Sequence, residues 1–272
     1  MASRSTFETL ARFGYAARGA VYFLVAMLGL FSGFAGGGEP SAKGALGSLL
    51  GEPFGRILLG VLAVGLFGFM LWRLVQSLGN ADHRKGDAKG WLSRAGQLAS
   101  GIAYGALAVT AAQMALGSGK SGGDEQVGLI AWLMSLPFGN ILAGLAGAVI
   151  MFAGGAQVYQ GLSGKFKKRL ELPADREKML GPICTYGLAA RGVVFAIIGG
   201  FLIYAAFTYD PQKAGSVPEA LDWVRSLPFG AALYVAVAVG LLAYAAYGMI
   251  QARYGKVRAP SVGEIKEVAA GA

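Results

Sequence analysis

Two arginines, Arg18 and Arg191, stand a few residues inside long apolar stretches of this chain, and a third, Arg73, stands near the end of another. Four glutamines, Gln76, Gln157, Gln160 and Gln251, occupy comparable positions. A guanidinium is costly in hydrocarbon and presents five N–H donors in a planar fork. Such a set is suited to holding an anionic headgroup or a small anion through charge-assisted hydrogen bonds. Arg18 lies about five residues inside its stretch, roughly 7 Å at the helical rise. At that depth it can also snorkel to the interface, and the two readings stand side by side.

Other chemistries find few residues to work with. The chain has one Cys, Cys184, and one His, His83 in the charged stretch "NADHRKGD", so no cluster of soft metal ligands and no pair for redox chemistry exists. No His lies in an apolar stretch as an axial ligand for haem or a similar pigment. None of the 15 Asp and Glu lies well inside such a stretch, which counts against proton relays and ion coupling. Ser100 is intramembrane but has no His near it in sequence to serve as base. We expect no enzyme activity, no cofactor and no metal. Cys184 reads as a small apolar residue at a helix start.

What positions the arginines is a set of membrane spans. The 272 residues are 55% hydrophobic and 14% charged, with a mean hydropathy of +0.53, too apolar for an ordinary soluble domain. Six stretches are long enough to cross a bilayer as helices, at roughly 13–33, 54–77, 94–116, 137–161, 184–207 and 228–250. Alternating ten-residue segments of an outer-membrane barrel are not seen. The first apolar run, preceded by Arg4, Arg12 and Arg18 and ending in small residues, could serve as a secretory leader. Its counterparts in mid-chain favour a retained helix.

Those counterparts come from an internal repeat. "FGYAARGAVYFLVA", "AGQLASGIAYGALA" and "YGLAARGVVFAIIG" align Gly14, Gly96 and Gly187, then Gly19, Gly101 and Gly192. Pro53, Pro137 and Pro228 follow the first glycines at nearly the same spacing, and Gln76, Gln160 and Gln251 follow those prolines at an identical one. The unit is a two-helix hairpin used three times. We expect an all-α integral membrane protein, six transmembrane helices as three tandem helical hairpins with pseudo-threefold arrangement, plus short interfacial helices. The hairpins cover 13–80, 94–166 and 184–256, and a cytoplasmic tail covers 257–272. The arithmetic puts Arg18, Ser100 and Arg191 level with Gln76, Gln160 and Gln251, with Arg73 and Gln157 about one turn deeper.

Each Pro opens a Pro-Phe-Gly phrase, and the sequence predicts that it sits in the first turn of the second helix, where its missing N–H costs nothing. Just before it, 44–51, 127–135 and 218–226 carry apolar residues at helical spacing, with Trp132 and Trp223 suited to headgroup depth. They read as interfacial helices on the outer face, or alternatively as plain loops. Many of the 44 glycines fall in the spans, some as GxxxG pairs such as Gly29 with Gly33 and Gly101 with Gly105. Tight helix packing explains them, and a glycine-lined path or an oligomer face is the alternative.

Of 24 Lys and Arg, 19 fall on the side holding both termini and the two long connections. The positive-inside rule then puts both termini in the cytoplasm. The same asymmetry accounts for a net charge of +9 and a pI near 9.7 without nucleic acid. A run such as "KFKKR" (165–169) suits anionic lipid headgroups instead.

The phrases "AARG" at 16–19 and 189–192, "EPFGRILLG" at 52–60, "LPFGNILAG" at 136–144 and "LWRLVQ" at 71–76 resemble the bacterial membrane-protein family DUF1206, over about 13 to 256. The middle repeat departs with "LASG" at 98–101. The resemblance implies three transmembrane helix pairs in the bacterial cytoplasmic (inner) membrane and brings no activity. On these grounds the chain is expected to be a structural or accessory membrane protein that binds lipid through anionic headgroups, or docks on a larger membrane complex or on its own copies. The alternative is a channel or transporter for a small solute or anion along the pseudo-threefold axis.

Overall fold

A computed structural model describes residues 2–35, 46–49, 51, 54–78, 88–117 and 124–256. Besides a helical stretch at 46–49, the described helices are α1 (Ala2–Ala35), α2 (Gly55–Leu78), α3 (Ala88–Ala115), α4 (Asp124–Ser135), α5 (Gly139–Leu162), α6 (Ala174–Thr208), α7 (Val217–Ser226) and α8 (Gly230–Tyr254). Among the described residues six helices, α1, α2, α3, α5, α6 and α8, are long and apolar enough to cross a membrane. Among the described residues the only extended pairing is an isolated bridge between Leu170 and Gly255. The expected tail, 257–272, lies outside the described residues.

Five packed seams hold the six long helices in the order α3, α2, α1, α8, α6, α5. Small residues make each approach possible, because a backbone can come close only where no side chain intervenes. Three of the seams join different repeats and are equivalent. Gly19 lies against Ala245 and Met249, Gly101 against Met70 and Leu74, and Gly192 against Gly154 and Val158. Each pair of partners stands at the same two offsets from the Pro of the preceding repeat, Pro228, Pro53 and Pro137 respectively, the third repeat preceding the first. A cyclic relation of this kind is what a pseudo-threefold axis requires.

Within repeats one and three the seams also match. Gly14 backs onto Phe69 and Gly187 onto Tyr244, while Gly65 meets Ala17 and Gly240 meets Ala190. Repeat two departs: its helices α3 and α5 pack on their neighbours and not on one another. Gly96, the counterpart of Gly14 and Gly187, has no neighbour within 4 Å of where a Cβ would stand. Ala99, Val149 and Ala153, the counterparts of Ala17, Gly65 and Phe69, are exposed. The bundle is therefore a ring with one unpacked edge.

The Pro-Phe-Gly phrase corrects one expectation. The helices begin at Gly55, Gly139 and Gly230, so Pro137 and Pro228 precede the first turn, and Pro53 lies outside the described residues. The intervening Phe54, Phe138 and Phe229 adopt left-handed backbone angles, with φ of 62°, 61° and 62°, and a left-handed residue cannot continue a right-handed helix. In the second and third phrases the next glycine has no room for a Cβ, which would stand 2.2 Å from the Leu133 carbonyl at Gly139 and 1.9 Å from the Arg225 carbonyl at Gly230. Each Phe carbonyl still accepts the first helical bond, as from Leu142 at 3.0 Å.

The segments before the phrase are helical, as expected: 46–49, α4 and α7. Residues 44, 45 and 50 of the first segment lie outside the described residues. Equivalent apolar positions turn inward, with Leu46 and Leu221 buried and Ile130 packed on the Ala143–Leu202 cluster. Trp132 and Trp223 stay exposed.

At the opposite end the helices are latched by side chains two residues before each repeat glycine. Arg12 donates to the carbonyls of Ala252 (3.0 Å) and Arg253 (2.8 Å) at the end of α8. Arg94 donates to Ser77 (2.6 Å) and Leu78 (3.2 Å) at the end of α2. Thr185 donates to Gly161 (3.2 Å) in the last turn of α5. Cations suit helix C-termini, whose carbonyls lack partners and bear the negative end of the dipole. The "KFKKR" run here is a 3₁₀ segment, Lys165–Arg169, anchored by buried Phe166 with its cations exposed. Cys184 is fully buried well inside α6, beyond the helix start at which the sequence placed it.

Candidate functional site

The repeat sets the depth of each polar group, and the ring decides which way it points. Arg18 of α1, one turn after Gly14, points into the bundle and is 3% exposed, so it does not snorkel. Its Nη2 donates to Oε1 of Gln251 on α8. Arg191, the counterpart in repeat three, donates from Nη1 to Oε1 of Gln157 on α5 and from Nε to the Tyr22 hydroxyl at 2.7 Å. Arg73 of α2 donates from Nη1 to Oε1 of Gln76 at 3.1 Å.

The third arginine occupies an inverted place. Arg18 and Arg191 lie on the first helix of their repeats and reach a glutamine on the second helix of the preceding one. Repeat two carries Ser100 at that position, and across its seam stands Arg73, offset from Pro53 as Gln157 is from Pro137. The charge missing from α3 is supplied by α2. Glutamines also divide: Gln251, Gln157 and Gln76 meet arginines, while Gln160, half-buried one turn along α5, is not brought to them.

Aromatic rings form the walls. The Arg18 guanidinium lies 5.0 Å from the Phe69 ring centre and 5.3 Å from those of Tyr15 and Tyr244. Arg73 is 5.0 Å from Phe69, and Arg191 is 3.9 Å from Phe195, 4.8 Å from Tyr244 and 5.4 Å from Tyr22. Phe69 thus takes two arginines and Tyr244 two. Tyr22 stacks edge-on to Tyr244 at 4.7 Å and Phe69 to Tyr104 at 4.8 Å, while Trp72 Nε1 donates to the Tyr15 hydroxyl at 2.7 Å. The sequence reading missed these rings. A signal was present, since Tyr22, Tyr104 and Phe195 share one offset from the repeat glycines Gly14, Gly96 and Gly187, and Phe69 and Tyr244 share one from Pro53 and Pro228.

The electrostatic balance is incomplete. Among the described residues no carboxylate pairs with Arg18, Arg73 or Arg191, and the charges of Arg18 and Arg191, and of Arg18 and Arg73, oppose one another. Ring faces contribute roughly 0.5–2 kcal/mol each to a desolvated cation, but they do not neutralise it. Moreover, Nε of Arg18 and of Arg73 is buried with no hydrogen-bond partner. Three cations, two unused donors and an aromatic wall suit an anion. Among the described residues no three His, Cys, Asp or Glu side chains are placed to hold a metal.

Comparison with known proteins agrees with the repeat. A family model described as "Domain of Unknown Function (DUF1206)" matches three times, at residues 13–79, 95–164 and 186–255. The chain is 29% identical over 246 residues to "Uncharacterized protein YxxB" of Bacillus subtilis (strain 168), covering 89% of each chain. No solved structure matches. With three tandem family matches and a ring whose equivalent seams follow the same repeat, the chain belongs to the DUF1206 family of three-repeat proteins.

Proposed function

We propose that this chain is a non-catalytic protein of the bacterial cytoplasmic membrane, both termini inside, that holds an anionic phosphate or carboxylate group at the level of Arg18, Arg73 and Arg191. One observation carries the reading: three guanidiniums converge in an aromatic interior with no carboxylate among the described residues, and two of them keep a buried N–H unused. An intramembrane arginine is costly to keep, and three of like sign are more so. A bound anion removes that cost. Accessory or structural work, with the anion as a fixed component, fits the lack of intramembrane carboxylates better than turnover does.

Conduction along the axis is the second reading, favoured by the cyclic repeat itself, since parallel repeats about a membrane-normal axis occur in transporters. The rings that close the arginine level, with Tyr22 on Tyr244 and Phe69 on Tyr104, support binding over passage. The test is phosphorus and fatty-acid analysis of protein purified in mild detergent, for the natural chain and for Arg18→Gln with Arg191→Gln. Acidic lipid or a small anion retained by the first and lost from the second, with helix content unchanged, supports binding. Equal content in both contradicts it.

A further inference from the structure

The unpacked edge of the ring and the arginine cluster meet at one residue. The rings of Phe69 and Tyr244 each lie between two guanidiniums, Arg18 with Arg73 and Arg18 with Arg191. By the pseudo-threefold relation a third ring belongs between Arg73 and Arg191, offset from Pro137 as Phe69 is from Pro53 and Tyr244 from Pro228. That position is Ala153, and it is exposed. Repeat two thus lacks the side chain that would close both the aromatic wall and the α3–α5 seam. Small side chains line both sides of the edge, Gly96 and Ala99 on α3 and Ala153 on α5, with no neighbour within 4 Å of where a Cβ would stand at Gly96. α5 and α3 bury the smallest shares of their spans, 17% and 28%, against 50% for α1 and α8.

We infer that this edge is a lateral portal through which one acidic membrane lipid enters the ring, its phosphate seated on Arg73 and Arg191 with Arg18 behind them and an acyl chain lying along the α3–α5 edge. The inference rests on the anion-binding reading and adds where the ligand comes from. Charge complementarity selects the lipid. The seat holds three cations with no carboxylate among the described residues, and the edge leading to it is apolar, with Val149 and Ala153 exposed on a helix long and apolar enough to cross a membrane, surroundings into which a free phosphate does not partition. A second copy of the chain would bring to the edge the same small apolar residues and no anion.

The test uses the full chain reconstituted in nanodiscs of phosphatidylcholine containing a minor share of phosphatidylglycerol, with lipid retained after detergent transfer counted by native mass spectrometry. The natural chain is expected to keep one phosphatidylglycerol and to prefer it over phosphatidylcholine by about tenfold or more, the scale set by one charge-assisted hydrogen bond. Ala153→Phe, which writes in the missing ring, is expected to lower retention about tenfold. Gly96→Leu, closing the edge from α3, serves where the first variant fails to fold. Arg73→Gln with Arg191→Gln is expected to abolish the preference. If the arginine variant loses the lipid but both edge variants keep it, the portal is wrong and the anion site stands. If the arginine variant keeps it, both are wrong. Millimolar inorganic phosphate displacing the lipid from the natural chain would make the ligand a soluble anion and overturn the lipid assignment. Efficient disulfide dimerisation of Ala153→Cys in the membrane would put a second copy on the edge, with the same consequence.

Discussion

A Cβ at Gly101 of α3 would stand 3.2 Å from the Cβ of Arg73 on α2. Arg73 therefore leaves its helix at the seam where Arg18 and Arg191 cross from the opposite side in the other repeats. "LASG" in place of "AARG" is thus a relocation of charge from one side of a seam to the other. Arg73→Gln alone is expected to lower acidic-lipid retention roughly tenfold. Adding Ser100→Arg, which recreates the Arg191–Gln157 arrangement, should restore it to within about threefold. Lipid counting checks both, and failure of the double variant to recover would sink the equivalence.

Two adjacent glycines of α5 make a matched pair. Gly154 faces the Gly192 carbonyl at 2.5 Å from a Cβ position, whereas Gly155 meets nothing within 4 Å. Gly154→Leu should part α5 from α6 and destabilise the bundle by roughly 1–3 kcal/mol or more. Gly155→Leu, pointing to open space, should stay within about 0.5 kcal/mol. Thermal unfolding in detergent separates the two.

Left-handed Phe229 is 88% exposed, so little packing offsets its backbone strain. Phe229→Gly is expected to stabilise the purified protein by roughly 0.5–1 kcal/mol, the gain from removing a Cβ at positive φ less the entropy a glycine adds to the unfolded chain. Loss of stability on that change would mean that the ring itself is held by the fold.

Removing the latches should loosen the arginine end. Arg12→Ala and Arg94→Ala each leave two helix-terminal carbonyls without their cation and are expected to cost about 1 kcal/mol, up to about 2. Hydrogen exchange should rise in the last turns of α8 and α2 respectively, and not elsewhere. Exchange spread over the whole chain would contradict the assignment.

The capping box of α7 carries a pH dependence. Although partial burial alone would raise it, the Glu219 carboxyl is held below its usual value by the Ser216 hydroxyl and by backbone N–H groups, that of Ser216 at 2.8 Å. A carboxylate depressed in the folded state stabilises α7 fully above its unfolded pKa, and that contribution is lost as pH falls through the folded value. Protection of the 217–226 amides should therefore fall on acidification below about pH 4, and Glu219→Gln should flatten that dependence. An unchanged profile would remove Glu219 from the account.

How much of this was legible follows from what each signal encodes. Glycine and proline spacing reports backbone approach and helix starts, so the threefold two-helix repeat and the level of Arg18, Arg191 and Gln251 could be read directly. Spacing gives depth along a helix but not rotation about it, so Gln160 read as a member of the site and Tyr244 did not. The inward turn of Arg18 needed the ring, since a snorkelling arginine and a buried one share the same sequence position. The missing seam in repeat two was written as Ala153 against Phe69 and Tyr244. It becomes legible only once those rings are known to pack, and the left-handed Phe residues likewise have no signature in residue type.

The central claim is that Arg18, Arg73 and Arg191 together bind an anion, and thermal unfolding of delipidated protein with lipid added back tests it most directly. A ligand bound only by the folded state raises stability by about 2.7 kcal/mol at a hundredfold excess over its dissociation constant. Phosphatidylglycerol is expected to raise the Tm of the natural chain well above the effect of phosphatidylcholine. In the Arg18→Gln, Arg73→Gln, Arg191→Gln variant the two lipids should act alike, and the lipid-free Tm should be no lower than natural because unneutralised buried charge has been removed. An equal response of the natural chain to both lipids, or an undiminished phosphatidylglycerol effect in the triple variant, would contradict the account.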